Sequence, residues 1–236
     1  MSARRRGRFW GWPDGMVWRS TLGVHKSSRS DRHRLFLDTL SPAAHETILD
    51  VGVTDSQVAW ANHLEASYAH RDRITAVAVE ELHEFKRAFP DVRTVFGDGC
   101  DLPFADGTFD IVYSNAVIEH VGDRARQRQL LAEAFRVASR AVFVTTPSKW
   151  FPVDPHTMIP LLHLGPRRVA AAVWRRTGSA HYADPADLNL LSARELRRLA
   201  QSAGLTGFVL RRQRLFGMTS NLVLIVEKDR SAGPSD

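Results

Sequence analysis

From residue 47 onward, short apolar runs alternate with stretches of helical period. The runs at 47–52 (TILDVG), 74–79 (ITAVAV), 92–96, 109–114 and 141–146 (AVFVTT) predict strands. Residues 57–69 carry Val58, Ala61, Leu64 and Tyr68 near helical spacing. Residues 81–88 read as a helix that stops before Pro90, and residues 124–138 place Leu130, Leu131, Ala134 and Val137 on one side. Strands alternating with helices predict βαβ units and a parallel sheet.

The rhythm breaks at both ends. Residues 1–34 have no clean period, with Phe9, Trp10, Trp12 and Trp18 among many Arg, Ser and Gly, and read as an arm that packs through its aromatics. A domain over 35–228 follows, interrupted by an insertion or lid at about 150–190. Ser192-Ala193-Arg194-Glu195 has the pattern of a capping box and predicts a helix whose apolar side is Leu196, Leu199 and Ala203. Residues 205–210 and 222–226 then read as two strands joined across Gly217, and 229–236 as a frayed tail.

Composition changes this picture little, and charge changes it more. No apolar run reaches the roughly 18 residues of a membrane span, and Arg4-Arg5-Arg6 has no apolar segment behind it to make a secretory signal. A single cysteine, Cys100, excludes an internal disulfide and a Cys-cluster metal site, and fits a cytoplasmic protein. Residues 1–34 carry a net charge of +7, 35–165 of −7 and 166–214 of +7. An acidic centre between basic flanks suits a cationic ligand at the centre and an anionic partner at the edges.

Open parallel sheets bind ligands beyond the carboxyl ends of their strands. The polar clusters Asp50-Val51-Gly52, Glu80, Gly97-Asp98, Ser114-Asn115 and Thr146-Pro147 all fall at such ends. The first loop, ILDVGVTDSQ, retains only Gly52 of a dinucleotide fingerprint, and Asp55 would set a carboxylate beside any pyrophosphate. S-adenosylmethionine reverses the sign of that objection, because it carries a sulfonium and an ammonium against one carboxylate and has no phosphate. Asp50 would then orient its amino-acid end, Gly52 would allow close backbone approach, and Glu80 would bind both ribose hydroxyls. Asp98 would accept from the adenine amino group, the Gly99 N–H would reach a ring nitrogen, and Phe104 or Leu102 would cover the ring. Ser114 joins the set from the end of the fourth strand.

Over residues 45–150 the sequence resembles the class I S-adenosylmethionine-dependent methyltransferases of the small-molecule type. ILDVG is similar to the family's first motif, AVAVE to its second, and GDGCDLPFADGTFDIVYSNAVIEHV to its third and fourth. The resemblance implies a Rossmann-like, doubly wound seven-stranded sheet, mostly parallel with an antiparallel last strand. One departure stands out, since Thr54 and Ser56 occupy places where the family's first loop has glycine. Thr54 disfavours positive φ, so the turn must be shaped differently, with the two hydroxyls capping the next helix or bonding the ligand.

Methyl transfer to a hydroxyl also requires a base. His120, after the fourth strand, and His156, which follows Asp154-Pro155 in the insertion, are the candidates; either could equally be an ordinary loop residue. The insertion carries Trp150, Phe151, Met158, Ile159, Leu161, Leu162 and Leu164, then Arg167-Arg168 and Arg175-Arg176. Such an apolar, Arg-edged lid suits a small-molecule, sugar- or lipid-linked acceptor, or contact with an anionic membrane surface. The reading is methyl transfer, most simply to oxygen, without a metal. RNA methylation through the basic flanks and a cofactor-binding protein without activity are its rivals.

Overall fold

Seven strands form one sheet in the order β3-β2-β1-β4-β5-β7-β6. They are β1 Ile48–Val51, β2 Ile74–Ala78, β3 Arg93–Phe96, β4 Phe109–Asn115, β5 Ala138–Pro147, β6 Val209–Leu215 and β7 Met218–Glu227. Pairing is parallel from β3 through β5, and β7 lies antiparallel between β5 and β6. The fold class is as the sequence predicts. This computed structural model describes residues 30–56, 61–154, 159–176, 180–184 and 187–228. Most of the predicted arm, the tail and His156 lie outside the described residues.

Every residue of β1 and β2 is buried, as expected of parallel strands covered on both faces. Alternation along the strands separates two cores. Leu49, Val51, Val112 and Val142 pack with Leu130, Leu131 and Ala134 of α4 (Arg124–Val137) and with Leu196 and Leu199 of α6 (Ala193–Ser202). Ile48, Ile111, Tyr113 and Phe143 face the other way. They meet Phe36 and Leu40 of α1 (residues 30–40), Leu64 of α2 (His63–Ser67) and Phe85 of α3 (His83–Ala88). The capping box of α6 forms as predicted, with Ser192 and Glu195 each accepting from the other's backbone N–H.

Two boundaries differ from the sequence reading. Helix α1 crosses the expected division at 34/35, and its residues Arg32 and His33 are buried, so part of the arm belongs to the domain. The strand expected at 205–210 is displaced to β6. Leu205 belongs to the core below α6, whereas β6 is an edge strand rich in exposed Arg211, Arg212 and Arg214, which hid its period. Of the helix expected at 57–69, α2 is the described part, and residues 57–60 lie outside. The insertion contributes α5 (Arg167–Arg176), which buries Ala170, Ala171 and Trp174; its ends are drawn together where Lys149 N donates to Leu191 O at 2.9 Å.

Candidate active site

The first loop is built around one unusual backbone conformation. Gly52 has φ +95°, and a Cβ there would lie 2.3 Å from Val117 Cγ2. Its lack of a side chain therefore serves packing against the segment after β4 as well as the turn. Thr54 is not left-handed. Its backbone N–H donates to Asn62 Oδ1 at 3.1 Å, its carbonyl accepts from Asn62 Nδ2 at 2.8 Å, and its hydroxyl donates to Glu80 Oε1 at 2.9 Å. The Asp55 N–H reaches the same Glu80 oxygen at 3.1 Å. Hydroxyl and amide thus do the work expected of further glycines, and they hold the exposed Glu80 carboxylate beyond β2.

The charge reading of this loop needs correction. The Asp55 carboxylate accepts from Glu84 N at 2.7 Å and Phe85 N at 2.9 Å, in the first turn of α3, so it is committed to a helix terminus. Asp50 is buried with Glu65 of α2 as neighbour. Burial pushes the Asp50 carboxyl well above the usual carboxylate range, and Glu65 pushes it further. Glu80 remains the exposed carboxylate of the loop.

Asp98 stands beyond β3. Its Oδ1 accepts from Cys100 N at 2.9 Å and its Oδ2 from Arg126 Nη2 at 2.5 Å. Burial raises its pKa, but the Cys100 amide and the Arg126 guanidinium outweigh this and hold it below the usual carboxylate range. Asp98 is therefore ionised and half-exposed, and Arg126 is a partner that the sequence reading missed. At Gly99 a Cβ would lie 2.7 Å from Val51 Cγ1, a packing reason for that glycine. Leu102 is buried in the core and Phe104 packs edge to face on Phe109 at 4.9 Å, so neither is poised to cover a ring. The exposed apolar side chains adjoining Glu80 and Asp98 in sequence are instead Val79 (70% exposed) and Phe96 (73%).

At the end of β4, Ser114 is fully buried and donates to Val51 O at 3.1 Å, which ties β4 to β1 inside the sheet. Glu119 is buried and accepts from the Thr146 hydroxyl at 2.9 Å. His120 Nδ1 lies 2.7 Å from the Asp187 carbonyl oxygen, an acceptor only, so Nδ1 carries the proton and Nε2 holds the lone pair in the neutral ring. The structure brings Asp50, Gly52, Thr54, Glu80, Asp98, Gly99 and His120 to the carboxyl edge of β1–β4. Among the described residues, no group of three or more His, Cys, Asp or Glu side chains is arranged to hold a metal ion.

Missed by the sequence reading, Glu65 and Arg126 each left a signal. Glu65 lies four residues after Ala61 and three before Tyr68, a charged residue on the apolar face of its helix. Arg126 follows the N-cap Asp123, whose side chain accepts its N–H at 2.9 Å; that places Arg126 in the first turn of α4, beside the Asp98 loop.

The strand order, the antiparallel β7 and an acidic residue beyond each of β2 and β3 define a class I S-adenosylmethionine-dependent methyltransferase fold. Residues 49–144 match the family described as a methyltransferase domain, a class whose cofactor is S-adenosylmethionine. It is 32% identical over 122 residues to the ubiquinone/menaquinone biosynthesis C-methyltransferase UbiE of Roseobacter denitrificans, covering 50% of this chain and 46% of the relative. It is 29% identical over 111 residues to the O-methyltransferase rstn1 of Aspergillus nomiae, covering 44% and 48%. The chain thus spans about half the length of these curated relatives. Among solved structures it is similar to the Burkholderia thailandensis 1,6-didemethyltoxoflavin-N1-methyltransferase bound to S-adenosylhomocysteine. There the TM-score is 0.57 at 15% identity, over 88% of this chain and 80% of the other. The donor set suits the cofactor's polar groups: carboxylates accept from amino and hydroxyl groups, and Glu80 and Asp98 stand exposed and half-exposed beyond β2 and β3.

Proposed function

We propose that this protein transfers the methyl group of S-adenosylmethionine to an oxygen of a small-molecule, sugar- or lipid-linked acceptor. The names of its relatives span oxygen, carbon and nitrogen acceptors, so the choice rests on the site's own chemistry. One observation carries it: the Asp187 carbonyl fixes His120 in the tautomer whose Nε2 can take a proton, which a hydroxyl acceptor needs removed. S-adenosylmethionine supplies a methyl carbon already activated by its sulfonium, so the protein's part is alignment. In this reading Glu80 holds the ribose, Asp98 the adenine, Asp50 the amino-acid end, and His120 Nε2 receives the acceptor's proton.

A lipid-linked acceptor is supported by apolar side chains left exposed around the insertion: Trp150 (66%), Leu161 (59%) and Val169 (54%), next to Arg167 and Arg168. No helix of the described residues is long and apolar enough to cross a membrane, and a cytoplasmic protein meeting an anionic lipid surface fits this rim. The test is incubation of the full chain with methyl-labelled cofactor and a cell extract fractionated into lipids, water-soluble metabolites and RNA. Label in a lipid or metabolite fraction, lost in His120→Gln, supports the proposal. Label in RNA, or bound cofactor with no transfer, contradicts it.

A further inference from the structure

Strand alternation sets Asp50 on the side of Ile48, toward α1 and α2, and Glu65 comes from α2. Glu65 is 0% exposed, and beyond its own backbone N–H its carboxylate oxygens have no hydrogen-bond donor among the described residues. Its polar neighbour is the Asp50 carboxyl, which is 6% exposed. Two ionised carboxylates can only accept, so burying them against each other requires a proton or a cation between them.

Among the described residues no cation is placed between them. Among the described residues, Glu65 is the charged group that acts on Asp50, and the Asp50 carboxyl is the side chain that acts on Glu65. His33 of α1 and His63 of α2 meet each other edge to face at 5.2 Å, and burial keeps His33 neutral down to about pH 4. Arg32 of α1 is directed to Asn115 Oδ1 at 3.1 Å and Gln213 Oε1 at 3.4 Å, at the ends of β4 and β6. Asp55 and Glu80 are bound to α3 and to the loop. Among the described residues, the solution this leaves is one proton shared by the two carboxyls.

We propose that Glu65 is a positioning residue of the cofactor site: it shares one proton with Asp50, and docking of an ammonium group on Asp50 expels that proton to solvent. The inference rests on the cofactor reading above, in which Asp50 receives the amino-acid end of S-adenosylmethionine. Glu65 is too deep to touch the ligand and acts through Asp50. With the proton in place the pair carries a single negative charge, which makes its burial tolerable. The incoming ammonium then takes over the proton's part, so the pair is never left as an uncompensated dianion. Because binding releases a proton, affinity rises with pH.

Calorimetric titration of the full chain with S-adenosylmethionine, in two buffers of different ionisation enthalpy, counts the protons exchanged. At about pH 6 the cofactor's own amine stays protonated. There the wild type should release up to about one proton per cofactor bound, and its affinity should rise by up to about tenfold per pH unit. Glu65→Gln keeps the shape and can still donate to Asp50; it should release none and bind with an affinity independent of pH over that range. Saturable wild-type binding without proton release overturns this inference and leaves the cofactor reading standing. So does an unaltered release in Glu65→Gln. Absence of any binding overturns both. The wild-type measurement decides even if the variant fails to fold.

Discussion

Thr54 Oγ1 donates to Glu80 Oε1 at 2.9 Å, across 26 positions of sequence, and so joins the first loop to the carboxylate beyond the second strand. The place where the resemblance leads one to expect glycine holds a hydroxyl that fixes the Glu80 carboxylate. Only Gly52 within this turn needs positive φ. A glycine at 54 would therefore gain no strained conformation and would lose the hydrogen bond. Thr54→Gly and Thr54→Val should each weaken S-adenosylmethionine binding by about 1 kcal/mol, or roughly fivefold. Thr54→Ser should not. Calorimetric titration distinguishes them, and tighter binding by Thr54→Gly would count against this role.

Gly52 is fixed by conformation and by Val117. Gly52→Ala should destabilise the fold by at least about 1–2 kcal/mol from the left-handed backbone alone, with the Val117 collision added. Shortening the obstacle in a Gly52→Ala/Val117→Ala double variant should recover part of the loss. Denaturant midpoints for the four members of that cycle check it, and strict additivity would rule out the collision.

The Asp98–Arg126 pair makes a different prediction. Asp98→Ala should lower cofactor affinity at least about tenfold, because it removes the carboxylate proposed to accept from adenine. Arg126→Gln should act less, by letting the Asp98 carboxyl rise toward its ordinary range while leaving the acceptor in place. Equal losses in the two variants would mean that the pair is structural only.

His33 makes stability depend on pH in a definite direction. Its folded pKa, lowered to about 4 by burial and then by His63, lies below the value of 6.5 expected when unfolded. Between those values the unfolded chain binds the proton first, so stability falls as pH drops from about 6.5 to 4 and is indifferent to this group above that window. His33→Leu should remove up to about 3 kcal/mol of that slope. Urea midpoints across pH 4–8 for both proteins give the difference, and parallel curves would refute it.

His120→Gln should reduce turnover by about a hundredfold or more with cofactor affinity unchanged, since the ring is assigned to the acceptor's proton. A loss of cofactor affinity equal to the loss of turnover would instead make His120 a structural tie to Asp187.

The sheet was legible because parallel strands buried on both faces leave uninterrupted apolar runs. Only the edge strand β6 was misplaced, where exposure removes the need for apolar side chains. The placement of Glu80 and Asp98 was legible, since both follow strands and lie exposed or half-exposed at their ends. It was illegible where a carboxylate could be claimed by something distant in sequence. Asp55 looked like part of a ligand's charge environment until α3 presented two amides to it, 29 and 30 residues away. The partnership of Asp50 with Glu65 depends on how α2 rotates against β1, which periodicity gives only to within a turn. Of the two carboxylates that suggested a cationic ligand, Asp55 caps α3 and Asp50 is buried, with burial and Glu65 raising its pKa.

The central claim is that this altered loop still forms an S-adenosylmethionine site centred on Glu80. Titration of the full chain and of Glu80→Ala with S-adenosylmethionine tests it most directly. The wild type should bind one cofactor per chain with a dissociation constant between about 1 μM and 1 mM, and Glu80→Ala, still folded by circular dichroism, should lose at least about tenfold in affinity. Absence of saturable binding by the wild type, or equal affinity in the two proteins, would contradict it.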